Sequence, residues 1–294
     1  MSLGVALSVL SSVLFAALYY YSTVLQPLTG EQIFAWRIAL GLPALALIIT
    51  RTRSWGEVHA LRARLRKESR LYWLLLASAS LIGVQLWLFM WAPLHQRALD
   101  VSMGYFLLPM TMVLVGRFFY AERLSAAQLA AVAIAALGVG HELWRIGSFS
   151  WVTALVALGY PPYFMLRRRL RMGSLGPLWF EMLFLAPAAL FILQSQGAGL
   201  ISQFGGQPRL FILVPILGLI SSAALASYLS ASRLLPLGLF GLLGYVEPVL
   251  LFWVAFLVLG ESVTSDAWLT YIPIWIAVLL IAAEGGLKWL REGR

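Results

Sequence analysis

The chain of 294 residues is a succession of apolar runs separated by short polar connections. Each run is about 20 residues long, enough to span the roughly 30 Å hydrocarbon core of a membrane as a helix. Only 11% of the residues are charged and the mean hydropathy is +0.87. This composition has too few polar residues to cover the surface of a water-soluble domain of this size. The sequence therefore predicts an all-α membrane protein.

We predict ten transmembrane helices, at 4–25, 31–50, 71–92, 101–120, 126–143, 151–166, 177–196, 210–232, 237–259 and 265–287. No basic stretch precedes the first run and no small-residue cleavage site follows it, so we expect a helix there and not a cleaved signal peptide. In the connection at 51–70, Trp55, Val58, Leu61 and Leu65 recur at helical spacing. That spacing is compatible with a helix on the membrane surface and equally with an irregular loop.

The basic residues predict the orientation of these helices, because Lys and Arg collect in cytoplasmic connections. If the ten helices alternate in direction, Arg97, Arg145 and Arg209 fall on one side and Arg37 falls inside a helix. Every other basic residue of the total of 21 falls on the side that holds both termini, which we therefore expect to be cytoplasmic. Topology and contacts with anionic lipids then account for the net charge of +9, and no nucleic-acid partner is expected.

The residue types that carry most catalytic and cofactor chemistry are absent or scattered. The chain has no cysteine, so it forms no disulfides and no thiolate sites. The three histidines, His59, His95 and His141, are not at metal-ligand spacing, and no Walker-type phosphate loop is present. We predict no enzyme, no cofactor and no resident metal.

The fourth and ninth predicted helices repeat one pattern. They read "GYFLLPMTMVLVGRFFYAER" and "GYVEPVLLFWVAFLVLGES", and the spacing from Pro109 to Glu122 equals that from Pro248 to Glu261. The second and seventh helices also match, since each has a charged residue, Arg37 or Glu181, six positions before a proline.

The register of both matches predicts two repeats, residues 1–145 with helices one to five and residues 146–294 with helices six to ten. Five is an odd number, so the second repeat has to be inverted relative to the first. Inverted repeats are common in secondary transporters, whose substrate site lies near the membrane midplane between the repeats.

The stretches "YYYSTVLQPLTGEQIFAWR", "IGVQLWLFMWAP" and "SMGYFLLPM", with the paired proline and glutamate motifs, resemble the RarD-type branch of the EamA drug/metabolite transporters. The resemblance covers the whole chain. It implies ten helices in two inverted five-helix repeats, a location in the bacterial inner membrane, and export of small amino-acid-like or drug-like metabolites. The chain departs from the family pattern at Gln85-Leu86, where Asn-Trp is usual, at Leu108, where Asn is usual, and at Glu247, where a neutral residue is usual.

Three ionisable residues lie inside the predicted helices: Arg37, Glu181 and Glu247. A charge inside the bilayer is costly, so each should face the bundle interior or water. From the helical rise, Arg37 lies about 9 Å from the outer membrane face and Glu181 about 6 Å from the inner face, and Glu247 lies about 15 Å into its helix, close to the midplane.

Two interpretations of Arg37 remain open at this stage. It pairs with Glu247 and orients two helices, or it binds a substrate carboxylate in a hydrated cavity. A zwitterion would then place its ammonium group near Glu247 or Glu181. Alternatively, one of these two glutamates takes up a proton and couples efflux to the proton gradient.

Polar and aromatic residues around these charges complete the predicted substrate site: Trp36, Gln85, Trp87, Trp91, Tyr105, Tyr163, Trp179 and Tyr245. Prolines in the helices predict hinges at Pro109, Pro161, Pro162 and Pro248, because proline removes a backbone hydrogen bond. Membrane lipids are the other expected partner, and the sequence leaves the oligomeric state open.

The sequence thus favours a secondary transporter that exports small amino-acid-like or aromatic metabolites by alternating access. An opine-type metallophore is an alternative substrate. A membrane-embedded enzyme or lipid-handling protein is the alternative from another functional class, and a channel is a third.

Overall fold

The structure, a computed structural model, describes residues 2–120, 125–146, 150–170, 173, 175–235, 243–244 and 246–292. Twelve α-helices are found there, and no β-strand occurs among these residues. The helices are α1 (Ser2–Val24), α2 (Gly30–Arg51), α3 (Trp55–Lys67), α4 (Ser69–Trp91), α5 (Ala98–Tyr120), α6 (Ala126–Ile146), α7 (Trp151–Leu170), α8 (Leu175–Ser195), α9 (Gly197–Gly206), α10 (Leu210–Leu234), α11 (Val246–Trp253) and α12 (Trp268–Glu292).

Six of the described helical segments are long and apolar enough to cross a membrane: Leu3–Val24, Gly30–Arg51, Ser69–His95, Ala98–Tyr120, Leu175–Ser195 and Leu210–Ala231. Shorter apolar helical segments occur at Ala126–Glu142, Val246–Val258 and Ser265–Leu280. The prediction of an all-α membrane protein is thereby confirmed. The short helix α9 was not expected from the sequence, and the segment after Arg51, left open above, forms the helix α3.

Local sequence signals explain where the central helix α2 begins. Thr29 accepts a hydrogen bond from the backbone N–H of Gln32, and the Gln32 side chain accepts one from the backbone N–H of Thr29. This capping box satisfies two N–H groups that the first helical turn leaves without intrahelical partners. It fixes the start of α2 at Gly30, seven residues before Arg37.

The proline pair in α7, where the sequence predicts a hinge, does not end that helix. Pro161 has no N–H to bond to the carbonyl of Ala157, four residues earlier. The Thr111 hydroxyl of α5 donates a hydrogen bond to that carbonyl at 2.7 Å instead. A polar side chain from a neighbouring helix thus compensates for the proline, as is usual inside membranes.

The helices pack in a regular set of pairs. Helix α1 lies along α10 and also contacts α11, and α4 lies along α7 and also contacts α8. Helix α2 contacts α8 and α10, and α5 contacts α7 and α11. Helices α6 and α12 form a pair at one side.

Two ends of the bundle are used as reference points below. The basic end contains α3, the last turns of α2 and α7, and the first turns of α4 and α8. The far end contains the first turns of α2, α5 and α7 and the residues around Glu261.

Candidate functional site

The Arg37 side chain lies in the middle of the bundle and is only 2% exposed. Its Nε donates a hydrogen bond to Ser221 Oγ of α10 at 2.5 Å. The guanidinium lies over the Phe89 ring of α4, 5.7 Å from the ring centroid. Nη1 is buried and has no hydrogen-bond partner among the described residues. A buried guanidinium with a donor to spare is costly unless an acceptor reaches it, so this N–H is available for a ligand.

Glu247, in the first turn of α11, is the acidic residue that interacts electrostatically with Arg37. It is 9% exposed, and within the described part of the chain its carboxylate has neither a hydrogen bond nor an ion pair. Arg37 and Glu247 interact electrostatically without forming a direct ion pair there. The direct pair, one of the two interpretations left open by the sequence, is therefore not formed among the described residues, and both charges keep bonding capacity to spare.

Tyrosines lie around these two charges. The hydroxyl groups of Tyr105 (α5) and Tyr160 (α7) are 2.7 Å apart and share a hydrogen bond. Tyr105, Tyr160 and Tyr228 (α10) are all close enough to Glu247 to interact with its charge. We call Arg37, Tyr105, Tyr160, Ser221, Tyr228 and Glu247 the central cluster, which draws on five different helices.

A small cavity adjoins the central cluster between α2, α4, α8 and α10. Arg37, Ser221 and Ser222 supply its polar walls, and Leu86 and Met182 are among its apolar ones. Its volume is about 10 Å³, close to the space one water molecule needs. A metabolite cannot fit unless the surrounding helices move apart.

Glu181 is placed in a different environment, which we call the Glu181 cluster. It is fully buried, with one carboxylate oxygen accepting from Ser78 at 2.5 Å and the other from Tyr163 at 3.4 Å. Arg167, from the last turn of α7, forms an ion pair with it at 3.3 Å. The structure thus brings Glu181 and Tyr163 together, and neither of these described residues hydrogen-bonds to Arg37.

The predicted tryptophans lie nearer the two ends of the bundle than the central cluster. Trp87 donates to Glu31 at 3.5 Å and packs against Trp91, which stacks on His95 at the far end. At the basic end, Trp179 packs edge-on against Trp55.

The remaining predicted residues are dispersed. Trp36 packs against Phe204 of α9, and its buried Nε1 lacks a partner among the described residues. Gln85 donates to the Leu155 carbonyl at 2.8 Å and joins α4 to α7. Pro109 and Pro248 lie in α5 and α11, and Tyr245 lies outside the described residues.

Several members of the two clusters were missed by the sequence analysis. Ser221 was detectable, because a Ser-Ser pair interrupts the apolar run of α10. Tyr160 directly precedes the proline pair, but Tyr228 gives no comparable signal. Arg167 was counted among the connecting residues, although its guanidinium reaches back into the bundle.

Comparison with known proteins identifies relatives over nearly the whole chain, although no family model matches it. A Pseudomonas aeruginosa protein named chloramphenicol-sensitive protein RarD is 49% identical over 99% of this chain and 97% of its own. Uncharacterized transporters of Pasteurella multocida and Haemophilus influenzae are 39% and 37% identical, over 98% and 97% of this chain and 98% and 95% of their own lengths.

One solved crystal structure is 15% identical and superposes with a TM-score of 0.53, over 96% of this chain and 98% of its own. At that identity the likeness concerns the fold alone. It extends across both predicted repeats.

Proposed function

This chain belongs to the RarD family of membrane transporters, and from its central cluster we propose that it is a secondary carrier for small amino-acid-like or aromatic molecules. The observation that carries the proposal is the incomplete bonding of Arg37 and Glu247. Charges buried in a membrane bundle are normally paired or functional. These two are held apart, each with bonding capacity to spare.

The chemistry of the central cluster fits a zwitterionic substrate. A carboxylate can accept from Nη1 of Arg37, because Ser221 occupies Nε and leaves that donor unpaired. An ammonium group can approach Glu247, whose neighbours Tyr105 and Tyr160 offer aromatic faces suited to a cation. Charge-assisted hydrogen bonds at both ends of the molecule would select for both groups together.

The volume of the cavity supports alternating access. Pockets for small molecules usually measure roughly 300–1,000 Å³. The cavity beside Arg37 measures only about 10 Å³. A carrier with this site has to separate its helices to admit substrate, which is how transporters alternate between the two membrane faces.

The packing pairs support ten membrane helices in two inverted repeats, residues 1–145 and 146–294. We match α1, α2, α4, α5 and α6 with α7, α8, α10, α11 and α12. This exchange converts the α1–α10 contact into α7–α4, α2–α10 into α8–α4 and α5–α7 into α11–α1, and all of these contacts occur. The pairs α2–α8, α5–α11 and α6–α12 map onto themselves, as expected at a two-fold axis.

A contact between the proposed repeats closes the far end. Glu261, from the second repeat, accepts hydrogen bonds from the backbone N–H groups of Ala98 and Leu99 at 2.7 and 2.8 Å. These two N–H groups belong to the first turn of α5 in the first repeat, where the helix dipole also favours a carboxylate. Outward opening would break this cap. The hinge role of Pro109, Pro161, Pro162 and Pro248 belongs to the same proposal.

We place the carrier in the bacterial inner membrane, with both termini cytoplasmic and export as its direction. The basic residues collected at one end support the orientation, and the family resemblance supports the direction. The name of the P. aeruginosa relative makes chloramphenicol one ligand to test. An opine-type metallophore, with several carboxylates, is the alternative substrate that Arg37 favours.

Counterflow in proteoliposomes tests the proposal. Purified protein should exchange labelled for unlabelled amino acids with saturation, and it should return them chemically unchanged. Metabolite profiles of the medium from cells with the native protein and with Arg37→Ala then identify the exported compound. Flux without saturation would indicate a channel, and a chemically altered substrate would indicate a membrane-embedded enzyme or lipid-handling protein.

A further inference from the structure

The outer side of α3 and its flanks carries six exposed basic residues. They are Arg51, Arg53, Arg62, Arg66, Lys67 and Arg70. Within the described part of the chain, none of them has an ion pair or a side-chain hydrogen bond. The acids of the same segment do not neutralise them, since Glu57 faces inward and Glu68 lies 3.8 Å from Arg64. We call these six residues the basic face.

The inner side of α3 holds the hairpin of α7 and α8. Glu57 accepts hydrogen bonds from the backbone N–H groups of Leu175 and Gly176 at 3.1 and 3.3 Å, at the start of α8. Arg64 donates to the carbonyl of Leu170 at the end of α7 at 2.9 Å. Leu61 is fully buried between these contacts. One short helix therefore clamps the C-terminus of α7 and the N-terminus of α8 together.

The position of α3 fixes what its outer side can meet. It connects the end of α2 to the start of α4, and both of these helices are long and apolar enough to span a membrane. Tyr72 and Trp73, near the start of α4, are 47% and 68% exposed. Exposed aromatic residues at the end of a membrane helix mark the depth of the lipid head groups. The basic face therefore lies at head-group level.

We propose that the basic face binds the phosphate head groups of anionic phospholipids, and that this binding holds α3 on the α7–α8 hairpin and closes the basic end. The charge complementarity is direct, because clustered arginines bind phosphate with charge-assisted hydrogen bonds. Anionic lipid thereby favours the closed arrangement over one in which α3 lifts away. This inference concerns lipid and α3 and does not depend on the substrate of the carrier.

The experiment uses the full chain, whose lack of cysteine makes an introduced thiol unique. Leu61→Cys places a thiol beneath α3, and a water-soluble maleimide labels it only when α3 lifts. We expect labelling to be several-fold slower in nanodiscs that contain phosphatidylglycerol than in pure phosphatidylcholine. The variant Arg62→Gln/Arg66→Gln/Arg70→Gln should label rapidly in both, and the charge-preserving control Arg62→Lys/Arg66→Lys/Arg70→Lys should behave like the parent.

A second variant separates lipid binding from clamping. Glu57→Gln keeps the basic face but weakens the cap on α8, so it should still bind phosphatidylglycerol in native mass spectrometry while labelling faster. Equal labelling of the parent in both lipids would overturn the proposal. The proposal would also be overturned if Arg62→Gln/Arg66→Gln/Arg70→Gln were still labelled more slowly in phosphatidylglycerol than in phosphatidylcholine. If soluble glycerol phosphate slowed labelling of the parent equally in pure phosphatidylcholine, the basic face would bind a free anion and not a lipid.

Discussion

The two buried glutamates of this protein differ in how completely they are bonded. Glu181 has a hydroxyl on one carboxylate oxygen and a hydroxyl and a guanidinium on the other. Glu247 has no such partner among the described residues, although Arg37 is close enough to influence its charge. A satisfied buried acid fixes the positions of its neighbours, whereas an unsatisfied one is able to bind something else. From this comparison we propose a structural role for the Glu181 cluster and a ligand-binding role for the central cluster.

The largest effect is expected from Arg37→Ala. Removing a buried, charge-assisted contact to the substrate typically costs 2–5 kcal/mol, so substrate exchange should fall on the order of 10²-fold. Counterflow in proteoliposomes measures this. Arg37→Lys is the matched control, since it keeps a cation but loses the bond geometry to Ser221, and it should retain part of the activity. Unaltered exchange in Arg37→Ala would remove the central cluster from the mechanism.

Thermal unfolding should separate the two glutamates. Glu181→Gln leaves Arg167 with a weakened partner inside the bundle, so the free energy of unfolding should drop by about 1–3 kcal/mol. Glu247→Gln removes a buried charge that has no direct partner, so stability should stay constant or rise. A stability loss in Glu247→Gln as large as that in Glu181→Gln would contradict the assignment of roles.

Proton coupling is expected to reside in Glu247 if it exists in this carrier. In Glu247→Gln, an imposed pH gradient should no longer change the substrate flux, because the amide binds no proton at these pH values. In folded Glu181→Gln protein, the substrate flux should still depend on the pH gradient. If gradient-driven flux is the same in both variants and in the native protein, neither glutamate couples protons.

A smaller effect is expected from the serine pair of α10. Ser221→Ala removes the acceptor for Arg37 Nε, and the loss of one such bond is worth about 1–2 kcal/mol, or roughly a 10-fold rise in KM. Ser222→Ala is the control, because that hydroxyl donates its hydrogen bond to the Gly41 carbonyl, whereas Arg37 Nε bonds to Ser221. Equal KM values in the two variants would separate Ser221 from substrate binding.

The smallest expected effect concerns Glu261, a third carboxylate, outside the membrane segments. Burial raises its pKa from the ordinary value, and the backbone N–H groups of Leu99 and Ala98 oppose this. The closed far end therefore takes up a proton at higher pH than an open one with a solvated Glu261. Acidification should thus favour closure slightly. A single Cys beside Ala98 should be labelled more slowly at acidic pH, after correction for thiolate reactivity, and Glu261→Gln should abolish the difference.

The sequence was a good guide to the elements because their signals are local. Apolar runs of membrane-spanning length depend only on neighbouring residues, and they agree with the helices. The compensation of the proline pair in α7 by Thr111 could not be predicted from the local sequence, because it comes from another helix. Arg37 was singled out correctly as a buried charge, since a guanidinium inside an apolar run is conspicuous.

Pattern alone determined that this chain is a helical membrane protein with a few costly charges inside, because the hydrophobic effect acts on each segment separately. Only the tertiary structure decided which charges meet. It gave Glu181 the guanidinium of Arg167, gave Arg37 the hydroxyl of Ser221, and left Glu247 with capacity to spare. Such contacts join residues more than a hundred positions apart or depend on how each helix is rotated about its axis. Hydrogen bonds form only within a narrow range of distances, and the packing of the bundle sets those distances.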